Sequence, residues 1–178
     1  MSVNPSVNLI LTVIGDDRPG LVEALATTIS QQQGNWLESS MSQLAGKFAG
    51  IVRVTLPEAQ VEALTSALKT LPGLRITAEV AVAAEEKPAG RRLKLSLVGH
   101  DRIGIVREVS QVLARHAVNV EDLSTHTASA PMSADILFHA TAELTASPAL
   151  DARALTDDLE RISNDLMVDI SLDETIRN

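Results

Sequence analysis

Leu9-Ile-Leu-Thr-Val-Ile-Gly15-Asp-Asp-Arg-Pro-Gly20-Leu-Val22 returns later in the chain as Leu93-Lys-Leu-Ser-Leu-Val-Gly99-His-Asp-Arg-Ile-Gly104-Ile-Val106. Every position is displaced by 84, Gly15 becoming Gly99. That spacing exceeds the roughly 20–50 residues of a solenoid repeat and suits a duplicated small domain. Each copy passes from an apolar run to Gly, Asp, Arg and a second Gly, then into an apolar helix start. A strand-to-helix turn of this kind leaves backbone N–H groups at its mouth, which suits a small anion.

Composition narrows the rest. At 178 residues the chain suits one large or two small domains, and the repeat decides for two, at 1–84 and 92–178. Between them Glu85-Glu-Lys-Pro-Ala-Gly90 mixes charge, proline and glycine without periodicity, so 85–91 reads as a linker. Without cysteine the chain forms neither a disulfide framework nor a thiolate metal site. Met1-Ser-Val-Asn-Pro-Ser6 lacks the basic and apolar regions of a signal peptide. No apolar run approaches the ~20 residues that span a bilayer, so no membrane partner and a cytoplasmic location are expected. A net charge of −8, with Trp36, Phe48 and Phe138 as the only aromatics, argues against a face for nucleic acid. Arg91-Arg92-Leu-Lys94, the densest basic stretch, reads as a solvated linker end. Control of genes would therefore run through another protein.

Periodicity gives the order β-α-β-β-α-β twice. Strands are expected at Val7–Ile14, Trp36–Leu44, Phe48–Leu56 and Leu74–Val82, the middle two joined by a turn at Ala45-Gly46-Lys47. Pro19 suits the first turn of a helix whose face is Leu21, Val22, Leu25, Ala26 and Ile29, with Gly34 as its stop. Val61, Leu64, Leu68 and Leu71 mark a second helix closed by Pro72-Gly73. In the second copy the strands are Leu93–Val98, Asn119–Ala128, Asp135–Thr141 and Leu166–Leu172. Its helix faces are Ile105, Val106, Val109, Val112 and Leu113, and then Leu155, Leu159 and Ile162. Two such units give an α+β chain of two ferredoxin-like domains, each an antiparallel sheet with both helices on one face. Right-handed crossovers place the first and third strands in the centre and leave two open edges. Open edges invite pairing, so the two sheets are expected to join edge to edge, and a homodimer is a further possibility.

The motifs Gly15-Asp-Asp-Arg-Pro-Gly20, Gly34-Asn-Trp-Leu-Glu-Ser-Ser-Met41, Gly99-His-Asp-Arg-Ile-Gly104 and Asn119-Val-Glu-Asp122 resemble the glycine cleavage system transcriptional repressor family. Its members consist of two ACT domains, a regulatory module that senses amino acids. The resemblance covers residues 7–174. It implies a small-amino-acid ligand, glycine favoured, and repression of glycine cleavage genes through a partner transcription factor. The implied ligand-binding residues are Asp17, Arg18, Pro19, Gly20, Leu21 and Asn35, with Asp101, Arg102, Gly104, Ile105 and Asn119 in the second copy. Asn35 and Asn119 are implied to reach a ligand beside the neighbouring domain's turn.

Each residue also has a plainer role. Asp17 and Asp101 suit either a ligand's ammonium group or a helix cap. Asn35 and Asn119 suit either a ligand or left-handed backbone after a helix. Trp36 suits packing at the domain seam or a partner anchor, and Met41 and Phe48 suit core or interface packing. His100 for Asp16 and Ile103 for Pro19 make the two copies unequal. Catalysis finds no support, and neither does a cofactor. His126 and His139 lie on opposite arms of one hairpin, but no His-x-x-x-His spacing points to a metal. Ser39 and Ser40 lack a nucleophile elbow. Glu85-Glu86 and Asp157-Asp158 read as solvated charge. The other class of function is an interaction protein with vestigial sites, regulating an amino-acid-metabolism enzyme by contact.

Overall fold

The computed structural model describes residues 5–82 and 90–174. The chain divides into two compact units, Met1–Glu85 and Glu86–Asn178. The first runs β1 (Ser6–Asp16), α1 (Leu21–Gln31), β2 (Asn35–Leu44), β3 (Lys47–Pro57), a 3-10 turn (Glu58–Gln60), α2 (Val61–Lys69) and β4 (Leu74–Val80). The second runs β5 (Arg91–His100), α3 (Ile105–Arg115), β6 (Asn119–Ser129), β7 (Ile136–Ala146), α4 (Ala152–Leu166) and β8 (Val168–Glu174). Both sheets are antiparallel, in the orders β2-β3-β1-β4 and β6-β7-β5-β8. The first and third strands of each unit are central, as the crossover rule requires.

Alternation sets the sheet faces. Leu9, Leu11 and Val13 of β1 and Leu93, Leu95 and Leu97 of β5 are buried, because successive side chains of a strand point to opposite faces. Against them α1 packs Leu21, Leu25 and Ile29, and α3 packs Ile105, Val109, Val112 and Leu113. Leu64 of α2 and Leu155 of α4 complete the two cores, and each core draws all its residues from one unit.

Several expected details change. Val22 and Val106 are 49% and 45% exposed. A helix lying on one sheet face buries only a stripe, and Thr28 fills that stripe instead, its hydroxyl donating to the Ala24 carbonyl. Pro19 precedes the helix, because Gly20 is the N-cap and Leu21 the first helical residue. Left-handed backbone after α1 and α3 falls on Gln33 and Ala117, not on Gly34, Asn35 or Asn119. Gly34 is small for packing, since a Cβ there would lie 2.7 Å from Ile29 Cγ2. β7 continues past Thr141 to Ala146, and Leu166 ends α4 instead of opening β8.

Arg91 belongs to β5, and the rest of the expected linker, apart from Gly90, lies outside the described residues. Its guanidinium donates twice to the Glu174 carboxylate at 2.9 Å and once to the Leu150 carbonyl at 3.0 Å. Trp36 packs against the core of its own unit. Val120 stands at its place in the second copy, beside an apolar gap of about 50 Å³. His126 and His139 do face each other, stacked with ring centroids 4.7 Å apart. Asp158 is no solvated charge: it accepts from His116 at 2.8 Å and pairs with Arg161 at 3.3 Å. Among the described residues, no helix is long and apolar enough to cross a membrane.

Candidate functional site

The repeated turn is built the same way in both units. β1 reaches it at Gly15, where a Cβ would lie 2.2 Å from the Gly73 carbonyl oxygen; at Gly99 it would lie 2.2 Å from Val168 Cγ1. Only glycine lets the central strand run this close to the start of its neighbour. The backbone N–H of Asp17 then donates to the Gly46 carbonyl, and that of Asp101 to the Ile136 carbonyl, both at 2.9 Å. The turn is thereby pinned to the tip of the adjacent hairpin.

Gly20 and Gly104 follow as N-caps with φ of 89° and 98°, left-handed backbone that favours glycine. Their carbonyls accept the first helical bonds, from Ala24 and Glu108. The N–H groups of residues 21–23 and 105–107 thus precede the intrahelical ladder, where the helix carries partial positive charge. Neither helix receives a side-chain cap hydrogen bond, so Asp17 and Asp101 do not act as caps. Leu21 and Ile105 bury their side chains in the core and offer the turn only their backbone.

The two turns differ in access. In the first, a Cβ on Gly20 would meet nothing within 4 Å. An open cleft of about 280 Å³ lies there, lined by Asp17, Arg18, Gly20, Leu21 and Phe48 among others. In the second, Arg107 Nη2 and Glu108 Oε1 would lie 3.4 and 3.6 Å from a Cβ on Gly104. Arg18 is committed to structure: its Nη2 donates at 2.7 Å to the carbonyl of Pro72. Pro19 is exposed, and Ile103 in its place is 99% exposed. Asp16 pairs with Lys47, whose ammonium holds the Asp16 carboxyl below its ordinary value. His100 at the matching position brings no such pair to the second turn.

Asn35 and Asn119 do not join these turns within their own units. Asn35 pairs through Thr55 with Asn8, seven residues along β1 from Gly15. At about 3.3 Å per residue this puts it roughly 23 Å from the turn. Asn119 pairs with Thr145, which lies opposite Arg92, again seven residues from Gly99. In each unit the asparagine and the turn thus occupy opposite ends of the sheet. The Asn119 end holds a cavity of about 400 Å³, lined by Gly90, Ala117, Asn119, Glu121, Thr145 and neighbouring residues. Sequence reasoning missed Phe48 as a cleft wall and Glu121 as a cavity wall. Phe48 reads as core and is also that, while nothing in a sequence marks Glu121 as the extra residue of a β-bulge between Val120 and Asp122.

Two four-stranded antiparallel sheets, each carrying this glycine turn into its first helix, define the fold class, and the family comparison makes the assignment. The ACT domain family matches residues 8–81 and again 91–173. The chain belongs to the ACT domain family, as a tandem of two such domains. No curated protein matches it. Among solved structures it is similar to a protein of unknown function from Galdieria sulphuraria, at 31% identity over 97% of this chain and 100% of that one, TM-score 0.84. It also shares its fold with a candidate glycine cleavage system transcriptional repressor, at 18% identity over 97% and 99% of the two chains, TM-score 0.70.

Proposed function

We propose that this chain is an amino-acid-sensing regulatory protein that binds a small amino acid, glycine favoured, and passes the signal to a protein partner. The observation that carries the reading is the uncapped left-handed glycine turn with an open cleft in the first unit. The ligand's carboxylate meets the free N–H groups at the start of α1, and Asp17 faces its ammonium group. The partner is a transcription factor, and the output is repression of glycine cleavage genes in the cytoplasm, without direct contact to nucleic acid. A candidate glycine cleavage repressor with the same two-unit fold supports the choice of pathway. The domain limits proposed are 1–84 and 92–178.

In each unit the asparagine and the turn stand at opposite ends of the sheet, so within a unit the reading rests on the turn and not on Asn35 or Asn119. A ligand passes its signal only through a differential affinity for two states of the protein. A second reading is favoured by β6 itself, exposed over all 11 residues: an interaction protein that regulates an enzyme by contact and binds no ligand.

Thermal melting with an amino-acid panel separates the two. A ligand at ~100 times its Kd stabilises the fold by ~2.7 kcal/mol. Absence of a shift for every amino acid leaves only the interaction reading. Recovery of a bound transcription factor from the native cell, with and without glycine, tests the partner.

A further inference from the structure

On the face of the first sheet turned away from its helices, Ile10, Ile51 and Arg53 alternate with the buried Leu9, Leu11, Val52 and Val54. Leu37 is the extra residue of a bulge in β2, and the shifted register sets Glu38, not Leu37, opposite Arg53. Arg53 Nη2 donates to Glu38 Oε2 at 3.1 Å. An open cavity of about 210 Å³ lies there, lined by Ile10, Glu38, Ser40, Ile51 and Arg53 among others. The Arg53 Nε–H is buried and, among the described residues, has no hydrogen-bond partner. A buried donor left so costs free energy until an acceptor reaches it. The side chain as a whole is 42% exposed, so a turn about its own bonds brings Nε to a molecule in the cavity.

Arg53 and Glu38 balance each other's charge, so what this place lacks is an acceptor and not an ion. Glu38 Oε1, the second oxygen of the carboxylate, can accept in return, and Ile10 and Ile51 supply an apolar wall. A carboxamide answers all three demands. Its carbonyl accepts from the Nε–H, its N–H donates to Glu38, and a branched hydrocarbon beside it covers the isoleucines. The volume falls below the roughly 300–1,000 Å³ of sites for drug-sized molecules, so the ligand is small. The second unit departs at the same place. Lys94 stands for Ile10, Glu143 for Arg53, Asp122 for Glu38 and Thr141 for Ile51. Those positions carry neither a guanidinium nor an isoleucine, so the chemistry belongs to the first unit.

We infer that this cavity binds a small uncharged carboxamide with a branched apolar group, Arg53 and Glu38 reading the amide and Ile10 and Ile51 its hydrocarbon. The site is separate from the glycine turn, since Ile10 precedes Gly15 by five residues on β1. It stands whether or not the turn binds an amino acid.

The test uses the full chain and NMR of its arginine Nε–H and backbone amide signals. Isobutyramide is the probe. Isobutyrate and isobutylamine, which keep the hydrocarbon and exchange the amide for a charge, are the comparisons. Arg53→Lys keeps a positive charge beside Glu38 and removes the Nε–H. Ile51→Thr, at a position 54% exposed, gives the first unit the residue of the second. Expected is a shift of the Arg53 Nε–H signal and of β1 and β3 amides with isobutyramide, the two ions binding roughly tenfold more weakly or worse. Each variant weakens isobutyramide by roughly tenfold, the value of one hydrogen bond to a charged group or of the lost apolar contact. The amide spectrum reports whether each variant folds, and an unfolded Arg53→Lys leaves Ile51→Thr to decide. Isobutyrate or isobutylamine binding as tightly as isobutyramide overturns the inference, because charge and not an amide is then recognised. Binding unchanged in either folded variant, or silence towards isobutyramide in wild type, also overturns it.

Discussion

Gly20 and Asp17 show how little chemistry the turn needs and how separable its duties are. Gly20 holds left-handed backbone in open space, so Gly20→Ala costs the strain of that conformation, about 1–2 kcal/mol, in urea unfolding. Gly15→Ala has no such latitude, because its methyl group meets a backbone oxygen. A loss at the upper end of the ~1–3 kcal/mol for overpacking is expected there, read by the same unfolding curves. Asp17 caps nothing, so Asp17→Ala leaves the melting temperature in buffer near wild type, a surface change of within ~0.5 kcal/mol, while abolishing the glycine-induced shift. A large loss of stability in Asp17→Ala would return it to a structural role. The repeat made these positions legible, because two glycines recurring at one spacing mark backbone that tolerates no side chain. The cap that the sequence allowed at Asp17 failed on one unformed hydrogen bond, a property of orientation and not of composition.

At the scale of elements, α3 and α4 are clasped by His116 and Asp158, 42 residues apart in sequence and joined at 2.8 Å. The hydrogen bond from His116 holds the Asp158 carboxyl below its ordinary value of 3.8, and Arg91 likewise lowers Glu174 from 4.5. A carboxyl whose folded value is depressed binds protons more weakly folded than unfolded. Its contribution is therefore complete above the unfolded value and is lost as pH falls through the lowered folded one. Thermal melts from pH 6 down to pH 2.5 should show Asp158→Asn less stable than wild type near neutrality, with the gap closing below about pH 4. A gap that does not change with pH would assign Asp158 a purely steric role. Helices and strands themselves were readable, since apolar residues at periods of two and 3.6 announce which face is buried. Asp157-Asp158 was read as solvated because a local window cannot see His116 arriving from another helix. The β-bulges at Leu37 and Glu121 escaped for a related reason: one extra residue shifts register only against a partner strand.

Over the whole molecule, duplication is the governing fact, and it leaves two cores with no shared residue. Leu64 and Leu155 are both fully buried, one in each. Leu64→Ala should cost about 2–5 kcal/mol, and amide hydrogen exchange should quicken in β1, β3 and α2 of the first unit. Equal acceleration in the β5 and β7 amides of the second would show that the cores unfold as one. The copies have also diverged at their hairpin tips. The first closes through Ala45 and Gly46, both with positive φ, whereas the second spans a wider loop in which the Ala130 N–H donates to the Asp135 carbonyl. Met132 at its crest is wholly exposed, yet the hairpin's far side grips Asp101 through Ile136. A fluorophore carried by a cysteine at position 132, in a chain otherwise free of thiols, would ride on solvent while mechanically wired to the second glycine turn. The protein thus comes with a handle for optical readout already attached to the segment whose movement one would want to watch.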